Sequence, residues 1–483
     1  LSKGQVNTSL IDDDLFLQIL ASYGKPLDTF ITGDRIPVFN RRVIEDYGLP
    51  PFFNNKLKNN NLGALDVDQW RIQAVASLLV TDAMIKCPEN QPTDKDRIIP
   101  QGALRERALK LLYRWQKQID LVDSFEKLAI EADKLTTLQY WAKSVKKLSL
   151  PFASPVVENT LLQKETEHLA SIGTFEALAK YSDEKITDYQ IHAQGYWGKD
   201  AHSKIPWGYL VDMTKIASLL YQQSRIETTW KAPIDAVTWF THTGWQVDHA
   251  GEVLFCESTE IPDGLAEIRI TIRKAYLRHL DRINLAFSEL LSHAGVQTLN
   301  LPFAGDAIKD FVEKASSKDP VAVLVLDACR YDLGCRLAEL LNQGEPSPRA
   351  AISQAIAPIP SITALGMPFT LPGISAYLNV ELNTAKDASW SVTAEGFSGN
   401  LSQAEKRQEW LKKKYKLKDH AMLTIENVLN QKMAELISVK SLGKLVFVFG
   451  DDFDDHDEKL KPLGLDQILE LYARVVRRLR SAG

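Results

Sequence analysis

The sequence predicts an α/β domain built on a parallel sheet, preceded by mainly α-helical domains. Two continuous apolar runs, at residues 321–326 and 445–449, read as strands buried on both faces. From Val321 onward strand, turn and helix alternate, which is the pattern of a parallel, doubly wound sheet. Before that point, apolar residues recur mostly at helical spacing.

Taken in order, residues 67–84 have the periodicity of one helix, and 103–142 that of two or more amphipathic helices with Trp115, Leu121, Phe125 and Leu128 facing a core. Polar stretches at 54–61 and 87–102 separate them. A Pro- and Ser-containing break at 148–155 marks a boundary, followed by helices at 158–181 and 209–224. Residues 237–255 show shorter β-like runs and glycines, and 268–293 read as a long amphipathic helix. A lead-in helix at 306–314 brings the chain to the first strand. The division is therefore 1–150 and 151–316, both mainly helical, and 317–483, the α/β part. In the last part a helix is expected at 332–341, a second strand at 351–356, a third at 445–449 and a helix at 465–480. Residues 373–442 are less regular and read as an inserted region.

Composition narrows the class. At 483 residues, two or three domains are expected. With 45% hydrophobic and 25% charged residues this is ordinary globular usage, and a net charge of −5 advertises no global affinity for nucleic acid. Cys87, Cys256, Cys329 and Cys335 form no C-x-x-C pair, which speaks against a zinc ribbon or disulfide scaffold and for a reducing cytoplasm. No apolar stretch reaches membrane-spanning length. The chain opens at Leu1 without Met and stops at Gly483 straight after a helical segment, which reads as a fragment.

Three segments carry chemistry. Asp327 ends the first apolar run, at the carboxyl end of a strand, where ligands bind in open α/β sheets. Its ordinary role there would be to cap the next helix. Ser361 and Thr363 lie between prolines and a glycine in Pro-Ile-Pro-Ser-Ile-Thr-Ala-Leu-Gly-Met-Pro. A hydroxyl becomes a nucleophile once its proton is removed or a metal stabilises the alkoxide. The run at 445–449 ends in Gly-Asp451-Asp452-Phe-Asp-Asp-His456-Asp-Glu. So many like charges destabilise a loop unless a cation relieves them, and Asp with His suits zinc or manganese. A solvated acidic turn is the plain alternative. Carboxylates ending two strands of one parallel sheet project to the same side, and a hydroxyl beside them completes the layout of metal-assisted phosphoryl transfer.

Val-Leu-Asp327-Ala-Cys-Arg-Tyr-Asp-Leu-Gly, then Ile-Pro-Ser-Ile-Thr363-Ala-Leu-Gly-Met, then Asp452-Phe-Asp-Asp-His456, in that order and spacing, resemble the PglZ family of the alkaline phosphatase superfamily. The resemblance covers about 321–483 and implies an alkaline-phosphatase-like sheet, incomplete here. It implies a role in BREX phage defence alongside other BREX proteins. It also implies a phosphatase or phosphodiesterase, a nuclease among the possibilities, using two divalent metals, zinc or manganese. Carried over, Asp327 and the nucleophile Thr363 would serve one metal, and Asp452 (or its neighbour Asp451) and His456 the other. The family's later Asp-His pair and last His have no counterpart before Gly483, so the fragment is expected to hold metal weakly and to be silent. The competing reading is a non-catalytic scaffold that binds other defence components.

Other features point elsewhere. His242 and His249 lack a nearby third ligand in the sequence, and Trp197, Trp207 and Trp245 read as core or interdomain aromatics rather than base-stacking platforms. The basic run 406–418, with Trp410 and Tyr415, reads either as a solvated helix face or as a contact to phosphates. Arg474, Arg477, Arg478 and Arg480 are ambiguous in the same way, and Cys329 reads as packing. The first 316 residues show no recognition-helix pattern for DNA.

Overall fold

The computed structural model describes residues 11–52, 64–148, 150–199, 205–255, 261, 264–316, 319–383, 389–430, 444–453 and 464–482. Contacts divide the chain into two compact units, Leu1–Ser224 with Val253–His279, and Arg225–Glu252 with Leu280–Gly483. The sequence boundary at 150/151 falls inside the first unit and that at 316/317 inside the second.

The first unit is helical. It contains α1 (Asp13–Ala21), α2 (Ile36–Glu45), α3 (Ala64–Lys86), α4 (Ala103–Trp115), α5 (Val122–Asp133), α6 (Leu138–Ser144), α7 (Pro155–Ser171), α8 (Phe175–Ala193) and α9 (Trp207–Gln222). The single helix expected at 158–181 is two, because Ile172-Gly-Thr interrupts it and the Thr174 hydroxyl caps α8 by accepting the Ala177 N–H at 3.3 Å. Trp197 and Trp207 are buried, as core aromatics are, with their indoles donating to the Ala153 carbonyl at 2.8 Å and the Glu158 carboxylate at 2.7 Å.

Residues 237–255, read as β-like, are helical: α10 (Pro233–Trp239), a π turn at Phe240–Gly244 and α11 (Trp245–Phe255). Gly244 is not a strand breaker. A Cβ there would lie 2.8 Å from the Trp239 ring, so the glycine makes room for an indole. The long amphipathic helix is present as α12 (Ala266–Ala294). No helix among the described residues is long and apolar enough to cross a membrane.

The second unit holds the expected α/β arrangement, a three-stranded parallel sheet. After α13 (Ala304–Lys314) come β1 (Val321–Leu326), α14 (Tyr331–Asn342), α15 (Thr363–Gly366), β2 (Leu378–Asn383), β3 (Ser389–Ala394), α16 (Ala404–Tyr415), β4 (Met422–Thr424), α17 (Ile425–Asn430), β5 (Leu445–Gly450) and α18 (Leu465–Ala482). The sheet order is β1-β5-β4, with β5 central, and β2 and β3 form a separate antiparallel hairpin. The stretch 373–442 thus holds the hairpin and α16, and also β4, a strand of the main sheet.

Residues 351–356, expected as the second strand, are not one. Ile356 makes a single parallel bridge to Phe303, with its N–H donating to the Pro302 carbonyl at 2.9 Å. Ile352 is 43% exposed, so this segment lacks the buried face that β1 and β5 each have.

Side chains alternate across the sheet. Val323, Val325, Leu445 and Phe447 enter one core with Val312, Leu365, Val392, Trp410 and Leu411. Val446 and Val448 enter the other with Leu333, Val428, Leu469 and Tyr472, and Leu324 and Leu326 pack against it. Each face of the sheet is therefore covered, which explains its apolar, Val-rich strands.

Candidate active site

β1 and β5 run parallel in register, from Val321 opposite Leu445 to Leu326 opposite Gly450. One further bond continues the ladder, from the Asp327 N–H to the Gly450 carbonyl at 2.9 Å. Asp327 and the acidic segment starting at Asp451 therefore leave the sheet at the same edge. Gly450 is needed at this point. A Cβ on it would lie 2.9 Å from Ile425, 3.0 Å from the Tyr472 hydroxyl and 3.1 Å from Leu326.

Asp327 is half-buried. Its Oδ1 accepts the N–H of Ala328 at 2.9 Å, and Ala328 has a φ of 54°. That left-handed conformation is uncommon and costly for a residue with a Cβ. The turn holds it directly beside the carboxylate, which fixes the exit of the strand.

Asp452 is fastened on the other face. The Tyr472 hydroxyl of α18 donates to Asp452 Oδ2 at 3.0 Å and accepts the Asp452 N–H at 3.3 Å. Tyr472 is fully buried and packs edge-on against Phe453, with ring centroids 5.1 Å apart. Burial, reinforced by the neighbouring Asp452 charge, pushes the Tyr472 phenol well above its ordinary value, so it stays a proton donor. Asp451 is exposed, and alternation along β5 puts it on the face that Asp327 continues. His456 lies outside the described residues.

Thr363 is exposed and is the first residue of the one-turn helix α15. Leu365, two residues on, sits in the same core as Val323 and Val325. The following segment is pinned to α13, where a Cβ on Gly305 would come within 2.2 Å of the Leu371 carbonyl. Thr363 therefore stands on a segment packed on the sheet face that Asp327 continues. Ser361 is also exposed. Among the described residues no group of three or more His, Cys, Asp or Glu side chains gathers to hold a metal.

The start of α14 carries a charge network that sequence reasoning missed. Arg330 donates to Asp332 at 3.0 Å and to Glu252 at 3.0 Å, and Arg336 pairs with Glu252 at 3.3 Å and with Asp466. The Arg-x-Asp spacing inside the first motif was its only trace in sequence. Burial, with Asp332 adding and Arg330 opposing, pushes the Cys329 thiol up to about 11, which keeps it protonated and suits packing.

Residues 303–467 match the family model for the BREX system PglZ alkaline phosphatase-like domain. The chain carries a PglZ domain. Asp327, Thr363, Asp452 and His456 all fall inside the match. No curated protein and no solved structure matches the chain. Within the PglZ domain the basic run is mostly a surface: Lys413, Lys414, Lys416 and Lys418 are exposed, while Trp410 is buried with the Lys414 ammonium 4.6 Å from its ring centre. Arg477 and Arg478 donate to the carbonyls of Leu340 and Val428 at 2.8 and 3.0 Å, so they tie α18 to its neighbours.

Proposed function

We propose that the PglZ domain is a metal-dependent phosphoric ester hydrolase with Thr363 as nucleophile, working within a BREX phage-defence system. The observation that carries this reading is the pair of neighbouring parallel strands that end flush in Asp327 and Asp451-Asp452, inside a segment of alkaline phosphatase-like type. The donor set fits a divalent cation. Carboxylates stand at the carboxyl ends of β1 and β5, Thr363 adds a hydroxyl from α15, and one oxygen of Asp452 is already engaged by the Tyr472 hydroxyl, as second partners of ligands commonly are.

In this reading Asp327 and Thr363 hold one cation, and Asp452 with His456 the other, zinc or manganese. Bound there, the cations would stabilise the Thr363 alkoxide and the leaving oxygen. The chain itself does the positioning. The β1–β5 ladder fixes Asp327, Tyr472 orients Asp452, and α15 presents the Thr363 hydroxyl to solvent for a phosphate ester to reach. The Thr363 hydroxyl would give its proton to solvent and its oxygen would bond to phosphorus, as the ester oxygen leaves with the electron pair of the broken P–O bond and takes a proton from solvent; water would then attack the phosphothreonine, releasing phosphate and restoring the hydroxyl. The substrate is a nucleotide, a nucleic-acid phosphodiester or a phosphoprotein, and other BREX proteins are the partners of the rest of the chain. The compartment is the cytoplasm, as the scattered cysteines suggest.

Hydrolysis of bis-p-nitrophenyl phosphate tests this. In the full-length protein zinc- or manganese-dependent turnover is expected, falling on the order of a hundredfold or more in Thr363→Ala. A protein that binds neither metal nor turns over any phosphate ester is instead the scaffold.

A further inference from the structure

The β2–β3 hairpin has one guarded edge and one open edge. The guarded edge is that of β3. The Val392 N–H donates to the Asn400 side chain at 2.9 Å, the Val392 carbonyl accepts the Leu401 N–H at 2.6 Å, and the Ser402 hydroxyl donates to the Trp390 carbonyl at 3.1 Å. Val392 thus turns both backbone groups away from β2, and the register fixes the rest. Val392 stands opposite Val380, so Val380 also turns its N–H and C=O away from its partner strand. Leu382, two residues on, does the same. Asn379, Glu381 and Asn383 hold the ladder to β3. Among the described residues no hydrogen bond reaches the outward groups of Val380 and Leu382. Leu378 also faces outward, with its N–H given to the Ser375 carbonyl and its own carbonyl open.

Edge strands are commonly protected by lysine, proline or a bulge. β2 reads Leu-Asn-Val-Glu-Leu-Asn and pairs with β3 residue for residue, so it has none of these. Its apolar side chains overhang the core as well. Val392 and Ala394 of β3 are buried in it and Leu378 packs against it. Val380 and Leu382 lie on the same face, yet are 40% and 46% exposed.

The order of residues in β2 selects what fits this edge. Val380 has Leu378 and Leu382 two places to either side, and Asn379 and Glu381 one place to either side. Two copies of β2 laid antiparallel about a two-fold axis at Val380 set Val380 opposite Val380 and Leu378 opposite Leu382. Each Val380 N–H then donates to the Val380 carbonyl of the other copy, and each Leu382 N–H to the open Leu378 carbonyl. Glu381 is the only charged residue of the strand. In this register it faces Asn379 of the other copy in a close, non-hydrogen-bonded pair, where the amide donates to the carboxylate. Opposed like charges are avoided, so the edge is complementary to itself.

We propose that β2 is a self-association edge, at which a second copy of this chain adds antiparallel to make one continuous sheet of two hairpins. Ladder hydrogen bonds and the Leu-Val-Leu face supply the attraction, and the Asn379–Glu381 pairs set the register. The contact is two-fold and closes on itself, so assembly through it stops at a dimer. One strand from each copy makes a small interface, so the dimer is weak and forms as concentration rises.

Sedimentation equilibrium of the full chain from about 1 to about 300 μM tests this, and a monomer–dimer equilibrium is expected. Asn379→Lys sets a lysine against Glu381 twice in each dimer and should tighten it about threefold to tenfold, while Asn379→Glu opposes like charges and should weaken it by a similar factor. Val380→Pro removes an N–H that points outward and spares the β2–β3 ladder, so the dimer should be lost while the hairpin stays. Asn379 is exposed, so its two variants decide the matter if Val380→Pro does not fold. A chain that stays monomeric throughout overturns the proposal. A dimer of equal strength in Asn379→Lys and Asn379→Glu also overturns it, as does a folded Val380→Pro protein that dimerises like wild type, since either places the contact elsewhere.

Discussion

At the scale of single residues, the informative difference is between two neighbouring aspartates. In sequence Asp451 and Asp452 are equivalent alternatives as ligands. In the fold they part company: Asp451 is exposed at the end of β5, whereas Asp452 is held by the buried Tyr472. A held carboxylate is pre-oriented and loses less freedom when it takes a cation, provided its other oxygen is available. Tyr472→Phe tests this with one atom. The ring stays, so the edge-on contact with Phe453 survives, and only the hydroxyl that bridges the Asp452 carboxylate and N–H is lost. Removing it should cost about 1–2 kcal/mol of stability in a denaturant titration. If Asp452 is a ligand, zinc or manganese affinity should also fall by roughly tenfold or more. A variant that loses stability and keeps its metal affinity would assign Tyr472 to packing alone and favour Asp451 as the ligand.

At the scale of elements, what was legible depended on how much of a segment's environment it carries itself. β5 is buried on both faces and β1 is buried on one and half-covered on the other, so each reads as an unbroken apolar run, and Asp327 stands out because it ends one of them. β4 has three residues, too few for any period to register, and gains its place only from pairing Met422–Thr424 with Phe447–Phe449. Residues 351–356 look strand-like by composition but have no second face to bury. Residues 237–255 were misread because Gly244 serves the Trp239 ring, a contact invisible in a linear sequence. Arg407, buried on α16, was hidden among lysines, since nothing in the run 406–418 marks which cation turns inward. The central strand should be the most sensitive element. Phe447 is fully buried in β5, in the core shared by β1, β3 and α16. Phe447→Ala removes a large side chain from a filled space and should cost about 3–5 kcal/mol. Chemical denaturation followed by far-ultraviolet circular dichroism measures it. A loss below about 1 kcal/mol would mean that this face of the sheet is not packed.

At the scale of the molecule, each compact unit contains a carboxyl group titrating well above its usual range, and the two give the chain a shared pH signature. In the first unit burial raises Asp133 to about 6, against the opposing hydrogen bonds from Val156 and Ser154. In the second, burial raises Asp248 to about 6, with Asp332 adding to it and Arg330 opposing. A carboxyl whose folded value exceeds its unfolded one binds its proton more tightly in the native state. Its contribution to stability is full below the unfolded value, near 4, and is lost as pH rises through the folded value, near 6. Asp13 works in the opposite sense. Tyr47 and Arg42 hold it below its ordinary value, so its contribution is lost as pH falls. Raw melting curves mix these signs, and the comparison with neutral variants separates them. Asp133→Asn and Asp248→Asn resemble the protonated wild type at low pH and are spared the cost of a buried charge at high pH. Each should therefore gain stability relative to wild type as pH rises, with the change spread between about 4 and about 6 and level above that. Hydrogen exchange at several pH values reads each unit separately, with Asp133→Asn acting on α5 and α7 and Asp248→Asn on α11 and α14. Exchange profiles that stay parallel to wild type across that range would show that neither carboxyl keeps its proton in the fold.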